Sequence, residues 1–263
     1  MSTPKLVVDG VSRIFPGVRG GAPTRALEPA TLSVAENDFI TILGPSGCGK
    51  STLLRIVAGL DLPTEGRVLL DGREVRGPGA DRGMVFQSYT LFPWLTVADN
   101  IGFGLRERGV PEAEAKSIVA SYVDKVGLRG FEQHWPKQLS GGMQQRTAIA
   151  RALANDPEIL LLDEPFGALD NQTRGLMQEL LLGIWERERK TVLFVTHDIE
   201  EAIFIASRVL VMSARPGRIK ADIAVDLPYP RHYTVKTSPV FSELKARLTE
   251  EIRAEAVLAA SDH

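Results

Sequence analysis

The chain has 263 residues, with 31 Lys and Arg against 33 Asp and Glu, a formal net charge of −2, four His and one Cys. Its length and 44% hydrophobic content allow one large globular domain or two small ones. Near-neutrality argues against a surface devoted to neutralising phosphate backbone and leaves room for a local patch, while a single Cys excludes an intrachain disulfide or a Cys-cluster metal site and suits a reducing cytoplasm. No apolar run approaches the ~18–20 residues of a membrane helix, and MSTPKLVVDG lacks an apolar signal-peptide core. A soluble, intracellular chain that does not itself cross a membrane is expected.

Short β-branched and Leu-rich runs alternate with helical patterns, the layout of an α/β protein with a mainly parallel sheet. In chain order the pattern predicts a strand at 5–9, a loop at 19–23, a strand at 39–43, a helix at 50–59, a loop at 76–80 and a strand at 84–87. About seventy residues without a strand follow, in which 97–107 and 112–126 read as helices, the second opening just after Pro111. Helices at 141–155, 172–189 and 199–207 then alternate with strands at 159–163, 192–196 and 209–213. Phe241, Leu244, Leu248 and Ile252 stand at helical spacing and predict a helix over 241–258. The all-helical block inserted between strands suggests a subdomain with its own task.

Gly44-Pro45-Ser46-Gly47-Cys48-Gly49-Lys50-Ser51 satisfies G-x-x-x-x-G-K-[ST] between a predicted strand and a helix. That context makes it a phosphate loop. Its glycines let backbone N–H groups converge on phosphate oxygens, and the helix N-terminus adds its positive dipole end. Lys50 is expected to reach the β and γ phosphates and the Ser51 hydroxyl to ligate Mg²⁺. Cys48 reads as a small residue that fits the loop, since nothing nearby resembles a resolving thiol. Downstream, ILLLDE is an apolar strand ending in Asp163 and Glu164, at the strand end where open α/β sheets bind ligands. Asp163 is expected to hold Mg²⁺, directly or through water, and Glu164 to orient or deprotonate an attacking water. The plainer alternative is two acids that merely open the next loop.

Leu139-Ser140-Gly141-Gly142-Met143-Gln144-Gln145-Arg146 opens a helix with Ser-Gly-Gly, a second anion-binding N-terminus in one chain. This segment resembles the signature of the ABC ATPases, and the spacing agrees with that family. Gln87 follows Lys50 by 37 residues, Ser140 follows Gln87 by 53, Asp163 follows Gly142 by 21 and His197 follows Glu164 by 33. The resemblance implies a P-loop NTPase, RecA-like α/β core over 1–88 and 159–230 with an N-terminal antiparallel β subdomain. It also implies an inserted helical subdomain at 89–158 carrying the signature, and a C-terminal helical tail at 231–263. By the same resemblance the cofactors are ATP and Mg²⁺, and Phe15 is similar to the aromatic that stacks on adenine. Tyr is commoner there, but Phe keeps the ring face and loses only the hydroxyl. The nucleotide set is then Phe15, Gly44, Pro45, Ser46, Gly47, Cys48, Gly49, Lys50, Ser51, Thr52 and Gln87. Gln87 resembles the glutamine that senses Mg²⁺, which gives Ser51, Gln87 and Asp163 as metal ligands. His197 resembles the switch histidine at the γ-phosphate, joining Glu164 and Lys50 as catalytic, and Asp170 stands where the family's D-loop aspartate does. His134, His232 and His263 read as loop or solvent-exposed residues. The resemblance also implies that ATP is sandwiched between two copies, with Ser140, Gly141, Gly142 and Gln144 of one acting on the γ-phosphate held by Lys50 of the other.

The insertion of about fifty residues has no sustained heptads, unlike the coiled-coil ABC proteins of DNA repair, and the chain has one cassette, unlike translation factors. A stand-alone transporter subunit remains, with a soluble assembly ATPase as the alternative. In transporters of the family this block receives a short helix of the membrane subunit. The aromatics of Tyr89-Thr90-Leu91-Phe92-Pro93-Trp94-Leu95 either serve such docking or merely pack the subdomain. GPGADRGMVFQ ending at Gln87, LFPWLTVADN from Leu91 to Asn100, DEPFGALD from Asp163 to Asp170, and DLPYPR from Asp226 resemble the nitrate, sulfonate and taurine importer branch. Only 66 residues follow His197, too few for the appended regulatory β-domain of some importers. The implied partners are a second ATPase subunit in a homodimer, membrane permease subunits and, indirectly, an extracytoplasmic solute-binding protein, with no nucleic acid. The implied location is the cytoplasmic face of the inner membrane.

Overall fold

The computed structural model describes residues 4–17 and 21–261, with side chains up to 255. The loop expected at 19–23 lies partly, and His263 wholly, outside the described residues. Along the chain run β1 (Leu6–Phe15), β2 (Thr24–Val34), β3 (Phe39–Leu43), α1 (Lys50–Val57), β4 (Glu65–Leu70), β5 (Arg73–Glu74) and β6 (Arg82–Val85). Then come α2 (Val97–Glu107), α3 (Glu112–Lys125), α4 (Gly141–Ala154), β7 (Ile159–Asp163), α5 (Asn171–Glu188) and β8 (Thr191–Thr196). The chain ends with α6 (Ile199–Ile205), β9 (Arg208–Met212), β10 (Ile219–Ala224) and α7 (Pro239–Ser261). These elements form two compact units, one of residues 1–79 and 189–263, the other of residues 80–188.

The first unit holds an antiparallel sheet in the order β2-β1-β4-β5 and a second group of strands in the order β10-β9-β3-β8. Within the second group β3 is parallel to both β8 and β9, and β10 closes the edge antiparallel to β9. Every residue of β3 and β8 is buried, the continuous apolar run that parallel strands covered on both faces require. Phe39 and Phe194 meet across them with centroids 6.2 Å apart.

The antiparallel sheet was only partly visible at the level of residues. β1 runs six residues beyond the strand expected at 5–9, past a register shift between Val8 and Val11 where Gly10 takes a φ of +60°. Close by, a Cβ on Gly66 would stand 2.3 Å from the Gly10 carbonyl, so the two chains approach at bare backbone. β2 had no sequence prediction. It carries Pro29 in its middle, and its buried Leu27, Ala30, Leu32 and Val34 do not keep a strict alternation.

The second unit pairs β6 and β7 in parallel and carries α2, α3, α4 and α5. The strand expected at 84–87 lies at Arg82–Val85 instead, which leaves Gln87 in the loop beyond it.

The stretch after β10 explains the DLPYPR segment. The Arg231 guanidinium is buried, and its Nη1 donates to the carbonyls of Ile203, Phe204 and Ala206, at 2.9, 3.0 and 2.8 Å. The Tyr229 hydroxyl donates to the Ile205 carbonyl at 2.9 Å, and its ring lies 4.0 Å from the guanidinium. All four carbonyls at the end of α6 are thereby satisfied, with a cation at the negative end of the helix. Arg231→Ala strips three of those carbonyls of a donor. It is expected to cost about 3 kcal/mol, measured as a lower midpoint in urea unfolding.

Candidate functional site

In the first unit, Leu43 of β3 faces Thr196 of β8 on one side and Val211 of β9 on the other. The residues after each strand therefore leave the sheet at its C-terminal edge, the edge at which α/β sheets bind ligands. Gly44 comes directly after β3, His197 after β8, and residues 213–218 after β9.

The loop from Gly44 to Gly49 is built of bare backbone where it turns. Gly47 and Gly49 have φ of +73° and +97°. A Cβ on Gly49 would stand 2.6 Å from Leu27 Cδ2 and 2.9 Å from the Ala26 carbonyl, and one on Gly44 2.9 Å from Cys48 Sγ. Cys48 is buried within the loop, as its reading as a fitted small residue anticipates. Lys50 opens α1, and its buried ammonium donates to the carbonyls of Gly44 at 2.8 Å and Pro45 at 2.9 Å. A side-chain ammonium is thus held by backbone carbonyls of a loop whose glycines leave no space for a Cβ. Ser51 and Thr52 come next, half-buried, in the first turn.

Phe15 ends β1, half-buried, with the Arg13 guanidinium 4.7 Å from its ring centroid. His197 is exposed, one residue before Asp198, whose carboxylate accepts the Glu201 N–H and caps α6.

In the second unit Val85 of β6 faces Leu162 of β7, so Gln87 lies just beyond one of two neighbouring parallel strands and the Asp163–Glu164 pair at the end of the other. Asp163 is the buried last residue of β7. Glu164 takes a φ of +44°, a left-handed conformation that a side chain adopts at a cost of order 1–3 kcal/mol. Gln87 is exposed.

Ser140 caps α4, its hydroxyl accepting the Met143 N–H at 3.3 Å. A Cβ on Gly141 would stand 3.0 Å from the Tyr89 hydroxyl and 3.7 Å from Leu169, and one on Gly142 3.0 Å from Thr173. Both glycines therefore sit under close neighbours, and α4 begins without side chains in its first two positions. Gln144 Nε2 donates to the Leu139 carbonyl at 3.2 Å, tying the turn to the helix. Asp170 caps α5, and its carboxyl is held below the ordinary Asp range by hydrogen bonds from the Thr173 hydroxyl and N–H, which outweigh burial, and from the Gln172 N–H.

Two features escaped the sequence reading. The amide of Asn100, wholly buried, binds the N–H and carbonyl of Phe92 and the carbonyls of Leu95 and Thr96. It clamps the aromatic loop to α2. Phe92 packs on Phe103 at 4.5 Å and on Trp94 at 5.5 Å, yet Trp94 remains 65% exposed. The second feature is Arg215, whose Nε donates to the Gly47 carbonyl at 2.8 Å.

The profile of the family described as "ABC transporter" matches residues 27–167. An uncharacterized ABC transporter ATP-binding protein of Methanocaldococcus jannaschii is 55% identical over 251 residues, covering 95% of this chain and 92% of the relative. A nitrate import ATP-binding protein of Synechocystis is 47% identical, covering 95% and 98% of the two chains, and an aliphatic sulfonates import ATP-binding protein of Bacillus cereus is 48% identical, covering 93% and 94%. Among solved structures, a dimeric bacterial ABC transporter cassette matches with TM-score 0.75 at 35% identity, over 85% of this chain and all of that one. A post-hydrolysis cassette dimer bound to ADP and Pi matches with TM-score 0.74 at 34% identity and the same coverage. The expected α/β P-loop fold is the fold of these cassettes.

Gly49→Ala forces a Cβ into Leu27 and a left-handed φ onto a side chain. It is expected to lower the thermal midpoint, read by differential scanning fluorimetry.

Proposed function

Because the chain belongs to the ABC transporter family, as an ATP-binding subunit, we propose that it binds and hydrolyses ATP to drive a bacterial importer of a small anionic solute of the taurine, sulfonate or nitrate kind. The observation that carries this reading is the Lys50 ammonium, held by the Gly44 and Pro45 carbonyls inside a loop that only glycines can turn. Such a ring offers converging N–H groups and one cation, the complement of a polyphosphate chain. The relatives named for nitrate and sulfonate import support the solute class.

The phosphates lie on the N–H groups from Ser46 to Thr52, with Lys50 exchanging its carbonyl partners for β and γ oxygens. Phe15 offers its ring face to adenine. Ser51, Asp163 and Gln87 would hold Mg²⁺, directly or through water, with hard oxygen donors and a single carboxylate, the donor set this ion takes beside phosphate. When bound, Mg²⁺ neutralises charge on the β and γ oxygens. Glu164 orients or deprotonates the attacking water, and His197 contacts the γ-phosphate. The strained φ of Glu164 supports an active role for it, since such strain clusters at functional sites. Ser140, Gly141, Gly142 and Gln144 present the α4 N-terminus to the nucleotide of a second copy, and Asp170 acts at the same interface. Closure of the homodimer on two ATP and its opening after hydrolysis then drive the permease.

The permease is held by protein packing at the cytoplasmic face of the inner membrane, and the solute-binding protein acts through it. Among the described residues no helix is long and apolar enough to cross a membrane. Trp94, displayed on a loop that Asn100 clamps, suits a docking surface.

Glu164→Gln removes the base and keeps the shape. It is expected to lower ATP turnover about 100-fold or more while ATP-dependent dimers accumulate on size-exclusion chromatography. Normal turnover in that variant rejects the assignment. Trp94→Ala is expected to reduce recovery of the complex with its detergent-solubilised permease while leaving ATP affinity within about twofold, by pull-down and calorimetry; the rim of the Trp94 contact carries little energy beyond the anchor itself. An equal loss of both rejects the docking role.

A further inference from the structure

The segment 213–218 between β9 and β10 lies against the phosphate loop at two consecutive carbonyls. Arg215 Nε donates to the Gly47 carbonyl at 2.8 Å. A Cβ on Gly47 would stand 2.4 Å from Arg215 Nη2 and 3.1 Å from its Cζ, so the guanidinium rests on the bare face of that glycine. One residue on, a Cβ on Gly217 would stand 1.8 Å from the Cys48 carbonyl oxygen, so backbone meets backbone there.

The segment is itself held from three sides. The Gly217 N–H donates to the Ala26 carbonyl at 3.0 Å, and the Gly217 carbonyl accepts the Glu28 N–H at 2.8 Å, which binds it to β2. Ser213 closes it from within, its hydroxyl donating to the carbonyls of Ala214 and Pro216 and accepting the Arg218 N–H. From α7, the buried Glu255 carboxylate accepts the Ala214 N–H at 3.0 Å and pairs with Lys220 at 3.1 Å. Burial alone would raise the Glu255 pKa, but the Ala214 N–H and Lys220 outweigh it and hold the carboxyl below the usual Glu range. The acceptor is therefore ionised at neutral pH.

A trans peptide points its C=O and N–H in opposite directions. Holding the Gly47 carbonyl from outside thus also sets the direction of the Cys48 N–H on the other side of the same peptide plane. That N–H now makes a long 3.4 Å contact with the Pro45 carbonyl. So long a bond is weak and readily exchanged for a charged oxygen.

We propose that Arg215 is a positioning residue for nucleotide, acting through the Gly47–Cys48 peptide to keep the Cys48 N–H aimed at the phosphates, on a segment that α7 and β2 hold in place. The inference rests on the reading of residues 44–51 as the phosphate site. Arg215 touches no phosphate in it and is exposed, so its truncation leaves no buried polar group in the core.

The test is isothermal titration of the full-length chain with ADP, together with ATPase kinetics, for wild type, Arg215→Ala and Arg215→Lys, with Lys50→Ala as a control. Arg215→Ala is expected to weaken ADP binding about tenfold, the effect of one charge-assisted hydrogen bond, and to raise the KM for ATP likewise. The kcat is expected to stay within about twofold and the nucleotide-free thermal midpoint to stay unchanged. Arg215→Lys, which keeps a cationic donor, is expected to recover most of the loss. ADP affinity and KM unchanged in Arg215→Ala overturn the proposal, as does a loss that tracks a fall in the thermal midpoint. Wild-type ADP binding that is lost in Lys50→Ala keeps the phosphate reading standing in either case, and a wild-type chain with no ADP affinity overturns both.

Discussion

A lysine ammonium kept inside a protein needs partners supplied by the fold itself. Here the Lys50 ammonium is buried and rests on the Gly44 and Pro45 carbonyls. Burying a cation without partners costs several kcal/mol, and backbone carbonyls of the loop itself meet that cost. Further along the same loop the chain takes left-handed φ at Gly47 and Gly49, a conformation that favours glycine. The loop must also sit at the end of a strand that does not move. β3 meets that need, buried along its length and paired on both sides by parallel neighbours. The segment after β9 lies against the same loop, at the Gly47 and Cys48 carbonyls.

The same economy recurs in the second unit at α4. Gly141 and Gly142 give the first turn of α4 no side chains, while the Ser140 hydroxyl accepts the Met143 N–H. A side chain at Gly141 would press on the Tyr89 hydroxyl, and one at Gly142 on Thr173. The proposed pairing of this helix start with the loop of a second copy rests on the family resemblance of the Ser140–Gly142 segment.

Much of this was legible in the sequence, for a physical reason. Buried parallel strands must be apolar throughout, so β3 and β7 were found residue for residue, and β8 and β9 within a residue at each end. Helices with strong start signals were equally plain: α2 has Thr96 as its cap with Asp99 three residues on, and its bounds agree with the expectation. The phosphate loop was legible because glycine and lysine at fixed spacing have few other uses. The structure that escaped has its cause far along the chain. β2 breaks its alternation and contains Pro29, and its pairing with β1 depends on partners rather than on its own pattern. Asn100 looks like an ordinary polar residue in a helix, and only the fold shows four backbone groups of the aromatic loop converging on its amide. Arg215 sits in a Pro-Gly turn that reads as a loop, 168 residues from the carbonyl it binds.

If the phosphate loop of one copy and the α4 start of another complete a single ATP site, two inactive variants mixed together test that pairing most directly. Lys50→Ala destroys every loop of its homodimer, and Ser140→Arg blocks every α4 start of its own. A mixed dimer retains one intact loop facing one intact helix start. The account predicts that each variant alone hydrolyses no ATP above background and that the mixture recovers measurable turnover. A mixture as inactive as its two components would contradict it.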